Sequence, residues 1–193
     1  MGAILQSLGR TVTAGVVLLI ALIALVGSAD HMSHAWATVF MRYLHVMSGV
    51  MWIGLLWYFN FVQIPSMPKI PDEQKPAIGK VIAPTALFWF RWAALSTVVT
   101  GLLVASMSGY LGFALMLDGG FRAIGIGMWL ALIMAFNVWF IIWPNQKKAL
   151  GIVVVEAAEK AAAARLAMLT SRTNTLLSIP MLFCMVAQQN GGL

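Results

Sequence analysis

One histidine falls inside a long apolar run, WATVFMRYLHVMSGVMWIGLLWYFNFVQI, and it is His45. An ionisable side chain is costly in hydrocarbon, so one placed there is a functional candidate by default. On a helix of 3.6 residues per turn, Arg42, His45, Gly49, Trp52, Leu56, Phe59 and Gln63 share one face. That face offers a cation, a metal ligand, a gap beside the ligand and aromatics below it. A flat macrocycle such as heme would use all four. The plain alternative is a histidine that hydrogen-bonds a neighbouring helix.

A second cluster, Asp30-His31-Met32-Ser33-His34, is a D-H-x-x-H pattern. His31 and His34 beside a carboxylate have the ligand types for copper or zinc. Three such ligands in a short loop do not close a structural site, and interfacial histidines that meet water and headgroups are the simpler reading. Arg42 lies one turn outward of His45. Arg122 begins a later span at a similar depth. Both suit the bidentate capture of carboxylates such as heme propionates, and snorkelling to the interface competes, more strongly for Arg122. Arg91, seven residues after Pro84, has an anionic ligand, a quinone carbonyl or a backbone carbonyl as candidate partners, with the structural partner preferred. Met107, Met128 and Met185 fall at depths suited to a second axial ligand, although methionine is also ordinary packing material.

These residues need apolar helices to position them. The chain has 193 residues, 61% of them hydrophobic and 9% charged, with a mean hydropathy of +0.90. A soluble chain of this size cannot hide so much apolar surface, so lipid must be part of its solvent. The net charge of +6 then points to basic loops rather than to nucleic acid, which is not expected as a partner. The single cysteine, Cys184, has no internal disulfide partner. No CxxCH, CxxC, HExxH, Walker or GxGxxG pattern occurs.

Apolar runs of about 20 residues predict five spans, near 11–29, 36–64, 84–110, 121–143 and 173–189. The expected fold is therefore an all-α integral membrane bundle of about five helices, one domain over residues 1–193. The first run has features of a signal peptide, but it is read as a true span. The segment QKKALGIVVVEAAEKAAAARLAMLTSR has high helix propensity. Its apolar stripe would be Leu150, Val153, Ala157, Ala161, Ala164 and Met168, which predicts a cytoplasmic amphipathic helix between the fourth and fifth spans. Nine of the 12 lysines and arginines then fall on one side. The positive-inside rule places the N-terminus in the cytoplasm and the C-terminus in the periplasm, in a bacterial inner membrane. Gly125 and Gly127 permit close helix contact, and Asn60, Asn137 and Asn174 supply interhelical hydrogen bonds. Trp36, Trp57 and Trp143 fit interfacial belts.

Four stretches carry a family likeness: RYLHVMSGVMWIGLLWYFNF, ALFWFRWAALSTVVTGLL, FNVWFIIWPNQKK and ARLAMLTSRTNTLLSIPMLFCM. Together they resemble the membrane region of the bacterial membrane-bound urate oxidase family, from about Tyr43 onward. In that family the module is normally followed by a cytochrome c domain, and the present residues stop at Leu193. The resemblance thus implies a redox-type subunit that passes electrons to a separate cytochrome c or another membrane subunit of a redox complex. The alternatives are a non-catalytic accessory subunit and a urate-type oxidase with a borrowed cytochrome c. A histidine followed seven residues later by tryptophan, then Gly-Leu, is also similar to heme proteins of the copper-resistance and protoporphyrinogen-oxidase types. That likeness implies heme b on His45.

Overall fold

The computed structural model describes residues 2–27 and 33–190. Asp30, His31 and Met32 lie outside them, so the expected D-H-x-x-H cluster lies largely outside the described residues. All the regular structure among the described residues is helical. Four helices are long and apolar enough to cross a membrane: α1 (Leu8–Val26), α2 (His34–Lys69), α3 (Lys75–Met107) and α5 (Gly119–Ala149). A short helix, α4 (Leu111–Leu115), precedes α5. The last helix, α6 (Ala157–Asn190), runs for 34 residues.

Contacts group the chain into two compact units, Met1–Val39 and Phe40–Leu193. In the first unit, α1 has no buried residue. Its side chains are those of a lipid-facing helix: leucine, isoleucine, valine and alanine with no acid.

The second unit holds the core. Trp52, Ile53, Leu56 and Phe59 of α2 meet Leu87, Phe90, Ala93 and Ala94 of α3, Met134, Val138 and Ile142 of α5, and Met181 of α6. Large apolar residues on the other faces stay exposed, among them Phe140, Leu176 and Phe183. Hydrocarbon is the solvent that makes this distribution favourable.

Three of the helices contain a π-helical segment, and each stands in the same relation to a proline. The segments are Tyr58–Gln63, Ile78–Ile82 and Asn137–Ile142. They precede Pro65, Pro84 and Pro144. In each case the amide immediately before the proline donates five residues back: Ile64 to Phe59, Ala83 to Ile78, Trp143 to Val138. A proline ring crowds the carbonyl four residues earlier and has no N–H to offer it. Those carbonyls belong to Phe61, Lys80 and Phe140, all inside the wider turns. The helices therefore run through their prolines. This is why α2 continues to Lys69 and α3 starts at Lys75, leaving a connection of five residues where the sequence suggests a longer one.

Helix α6 packs through a stripe of mostly small residues: Ala163, Ala167, Ser171, Asn174, Ser178, Met181, Cys184 and Ala187, all buried. The stripe expected earlier does not form, because residues 150–156 are not helical and Ala157, Ala161 and Ala164 are exposed. The basic residues Lys160, Arg165 and Arg172 lie on the same continuous helix as the apolar stretch that ends it.

The close approach expected at two glycines is present. A Cβ on Gly125 would stand 2.1 Å from the Ala114 carbonyl oxygen of α4, and one on Gly127 would stand 3.0 Å from Cys184 Cβ of α6. The asparagines also do what their positions suggest. Asn60 Nδ2 donates to Ser171 Oγ at 2.8 Å, Asn137 Nδ2 to Asn174 Oδ1 at 2.8 Å, and Asn174 Nδ2 to the Met134 carbonyl at 2.9 Å.

Candidate functional site

A cavity of about 590 Å³ opens between α2, α3, α5 and α6 of the second unit. Arg42, His45, Gly49 and Trp52 all line it, so one helix face delivers the four residues expected together. That face then leaves the cavity, since Leu56 and Phe59 enter the core. Across from it stand Thr97, Gly101 and Leu102 of α3, Met128 of α5, and Met181 and Met185 of α6.

The ring of His45 is fixed by α3. Its Nδ1 lies 2.9 Å from the Thr97 carbonyl oxygen and 3.3 Å from Thr100 Oγ1. A carbonyl can only accept, so Nδ1 carries the proton in this arrangement. The Thr100 hydroxyl already donates to the Ser96 carbonyl at 2.6 Å, which leaves its oxygen as a second acceptor for the same N–H. In the neutral ring, Nε2 is then the bare nitrogen. It makes no hydrogen bond among the described residues. The expected alternative, a histidine bonded to a neighbouring helix, is thus satisfied by one ring nitrogen and leaves the other available.

Gly101 makes this seat possible. A Cβ there would fall 2.8 Å from His45 Cε1 and 3.1 Å from Nδ1. Neither Gly101 nor the threonine pair stands out in the sequence by type. The available signal is Thr97-x-x-Thr100-Gly101, which puts two hydroxyls and a gap on one turn of an otherwise apolar helix.

Other donors converge on the cavity. Trp52 is fully buried, and its Nε1 has no partner among the described residues. Arg42 Nε is enclosed and likewise unpartnered. Tyr110 joins the lining from beyond the end of α3, with its ring stacked on Phe121 at 5.5 Å. Burial pushes the Tyr110 hydroxyl above its usual range, partly offset by the charge of Arg42, so it remains a donor at neutral pH.

Not every expected residue joins the site. Arg122 is exposed and does not line the cavity, because it sits at the first turn of α5 outside the four-helix contact. Met128 and Met185 line it, together with Met181, but Met107 does not. His34 starts α2, and no group of three His, Cys, Asp or Glu side chains suited to a metal ion forms among the described residues. Trp57 is not simply an interfacial residue: it lines the cavity and donates from Nε1 to Ser178 Oγ at 3.0 Å. Arg91 does not find the backbone carbonyl expected for it. Its guanidinium lies over the Trp143 ring, 3.4 Å from the centroid.

The urate oxidase N-terminal family model matches residues 112–191. The match covers α5 and α6, and thus only that part of the cavity lining; His45 and the α3 residues that hold it lie outside the match. It agrees with the family likeness carried by the FNVWFIIWPNQKK and ARLAMLTSRTNTLLSIPMLFCM stretches. No curated protein and no solved structure matches the chain.

Proposed function

We propose that this chain is a membrane-embedded redox-type subunit that holds heme b through His45 and passes electrons to a separate partner. The observation that carries this reading is the state of the His45 ring. Its Nδ1–H is committed to Thr97, which leaves the Nε2 lone pair unshared on a residue that lines the cavity. Metal-ligating histidines are held in this way, with the second nitrogen bonded to a carbonyl that fixes the ring and raises its basicity.

The residues fit the group. The volume of about 590 Å³ lies within the roughly 300–1,000 Å³ typical of cofactor sites. Gly49 and Gly54 add no side chain to the cavity wall, and Gly101 makes room for the His45 ring itself. Arg42 and Tyr110 supply donors suited to propionates. Met128, Met181 and Met185 offer thioethers from helices other than that of His45. When bound there, heme b supplies a one-electron iron couple. The chain's own part is to orient the imidazole, to keep water out with apolar walls and to balance carboxylate charge with Arg42.

The inner-membrane setting and the orientation belong to the same reading. The clustering of nine of the 12 basic residues supports a cytoplasmic N-terminus and a periplasmic C-terminus. Reporter fusions after Lys75 and Gln146 should then report cytoplasm, and one after Leu193 the outside.

A pyridine hemochrome assay on the purified chain tests the cofactor. A b-type spectrum lost in His45→Ala, with membrane insertion retained, is the expected result. A Soret band per protein unchanged in that variant would reject the ligand. The family match favours one second reading, a urate-type oxidase that uses a separate cytochrome c. Urate-dependent reduction of added cytochrome c would support it. Co-migration with other membrane subunits and no bound heme would instead indicate an accessory subunit.

A further inference from the structure

Away from the His45 cavity, several enclosed hydrogen-bond donors have no acceptor among the described residues. Arg91 is only 9% exposed, and its Nη1 is enclosed without a partner. Its guanidinium carbon lies over the Trp143 ring, 3.4 Å from the centroid, and the Lys147 ammonium is 5.6 Å from the same ring. A guanidinium held over a ring still has its edge N–H groups to pair with an oxyanion, and Arg91 Nη1 pairs with nothing among the described residues. Trp139, one turn before Trp143, has its Nε1 enclosed and unpartnered as well.

No carboxylate answers these charges. The ion pairs among the described residues are Lys75–Asp72 and Lys148–Glu159, and neither involves Arg91 or Lys147. A buried cation without a counter-charge is unfavourable, and the tryptophan ring offsets only part of that. Two cations beside one indole ring, with a further unpartnered indole N–H one turn back on the same helix, call for the oxygens of an anion.

Depth and surroundings identify the source of that anion. Trp143 lies six residues before the end of α5 at Ala149, about 9 Å along the helix axis. Lys147 is one turn further out. With Ala149 at the bilayer surface, Lys147 and Trp143 stand at the level at which phosphates meet acyl chains, and Arg91 reaches that level from α3 through its contact with Trp143. Phe88, Trp92 and Phe140 are exposed on the same helices, and Trp92 leans edge-on against Trp139 with centroids 5.5 Å apart. Apolar rims of this kind suit acyl chains, whereas a free phosphate has no use for them.

We propose that Arg91, Trp139, Trp143 and Lys147 form a binding site for the phosphate of an anionic phospholipid. The site is independent of the His45 cavity and of any cofactor there.

Native mass spectrometry of the full chain in mild detergent, titrated with phosphatidylglycerol or phosphatidylcholine, tests this. The wild type should retain one phosphatidylglycerol in preference to phosphatidylcholine. Arg91→Gln should weaken that binding by at least about tenfold, and Lys147→Gln should weaken it less. Equal retention of the two lipids overturns the proposal. Displacement by millimolar inorganic phosphate reassigns the site to a free anion and overturns the lipid source. Lys147 lies on the outer turn, where substitution leaves the core intact. Unchanged binding in Lys147→Gln therefore overturns the proposal whatever the fate of the Arg91 variant.

Discussion

Gly101 stands where any side chain would collide with the imidazole of His45, at 2.8 Å from Cε1. The ring cannot yield without leaving the Thr97 carbonyl, 2.9 Å from Nδ1. The orientation of the one histidine in the cavity is therefore set by a missing methyl group on the next helix.

Gly101→Ala should accordingly turn His45 out of its seat. The expected outcome is loss of the His45-dependent Soret band, with the protein still inserted. Gly112→Ala is the control, since Gly112 does not line the cavity and its Cβ would meet nothing within 4 Å. Absorbance per protein across the two variants checks this. Equal spectra would mean that the ring has another way to hold its position.

Asn174→Ala should lower stability by about 1–3 kcal/mol, the cost of leaving buried polar groups unpaired. Asn174 is fully buried, accepts from Asn137 and donates to the Met134 carbonyl. Both partners lose their bond at once, in a setting with no water to replace it. Thermal unfolding in detergent measures the effect. A midpoint equal to that of the wild type would show that the helices rearrange to satisfy these groups.

Gly125→Ala should cost about 1–3 kcal/mol through overpacking. Its Cβ would stand 2.1 Å from a backbone oxygen, which no rotamer change relieves. Gly112→Ala, on the neighbouring short helix, meets nothing within 4 Å and should be neutral or slightly stabilising. The contrast between the two in thermal unfolding tests whether α4 is held against α5 as described.

The raised ionisation of Tyr110 sets an alkaline limit. Burial disfavours its phenolate, so the folded state keeps the proton longer than the unfolded chain does. The sign follows: stability is unaffected below the unfolded value of about 10 and falls as pH rises above it. Absorbance titration at alkaline pH should show a late-ionising component that Tyr110→Phe removes. If the variant retains that component, it belongs to another tyrosine.

The membrane character and the face from Arg42 to Trp52 were legible in the sequence, because 3.6-residue spacing and apolar run length are local properties. So were the bonds of Asn60, Asn137 and Asn174, since polar groups in lipid must pair with one another. Thr97, Gly101 and Tyr110 were not. Thr97 and Gly101 matter through His45, more than 50 residues away, and Tyr110 through the cavity it joins, and the local pattern around them does not name those partners. For Arg122 the depth was readable but not the side of the bundle, and its exposed position fits the snorkelling reading that competed there. The stripe on α6 was misplaced because alanines on both sides of that helix carry almost no orienting signal.

The wider turns before Pro65, Pro84 and Pro144 have a bearing on how this chain tolerates change in length. A π turn holds one residue more than the α turn it replaces, and so shifts the phase of everything beyond it by about 100° relative to an uninterrupted α-helix. Deleting one residue from Tyr58–Gln63, Ile78–Ile82 or Asn137–Ile142, and exchanging the proline that follows, would restore an α turn while each flank kept its present partners. Elsewhere in these helices a single deletion would rotate one flank off its contacts. Natural variants of this fold should therefore gather their one-residue gaps at these three places, each accompanied by loss of the adjoining proline.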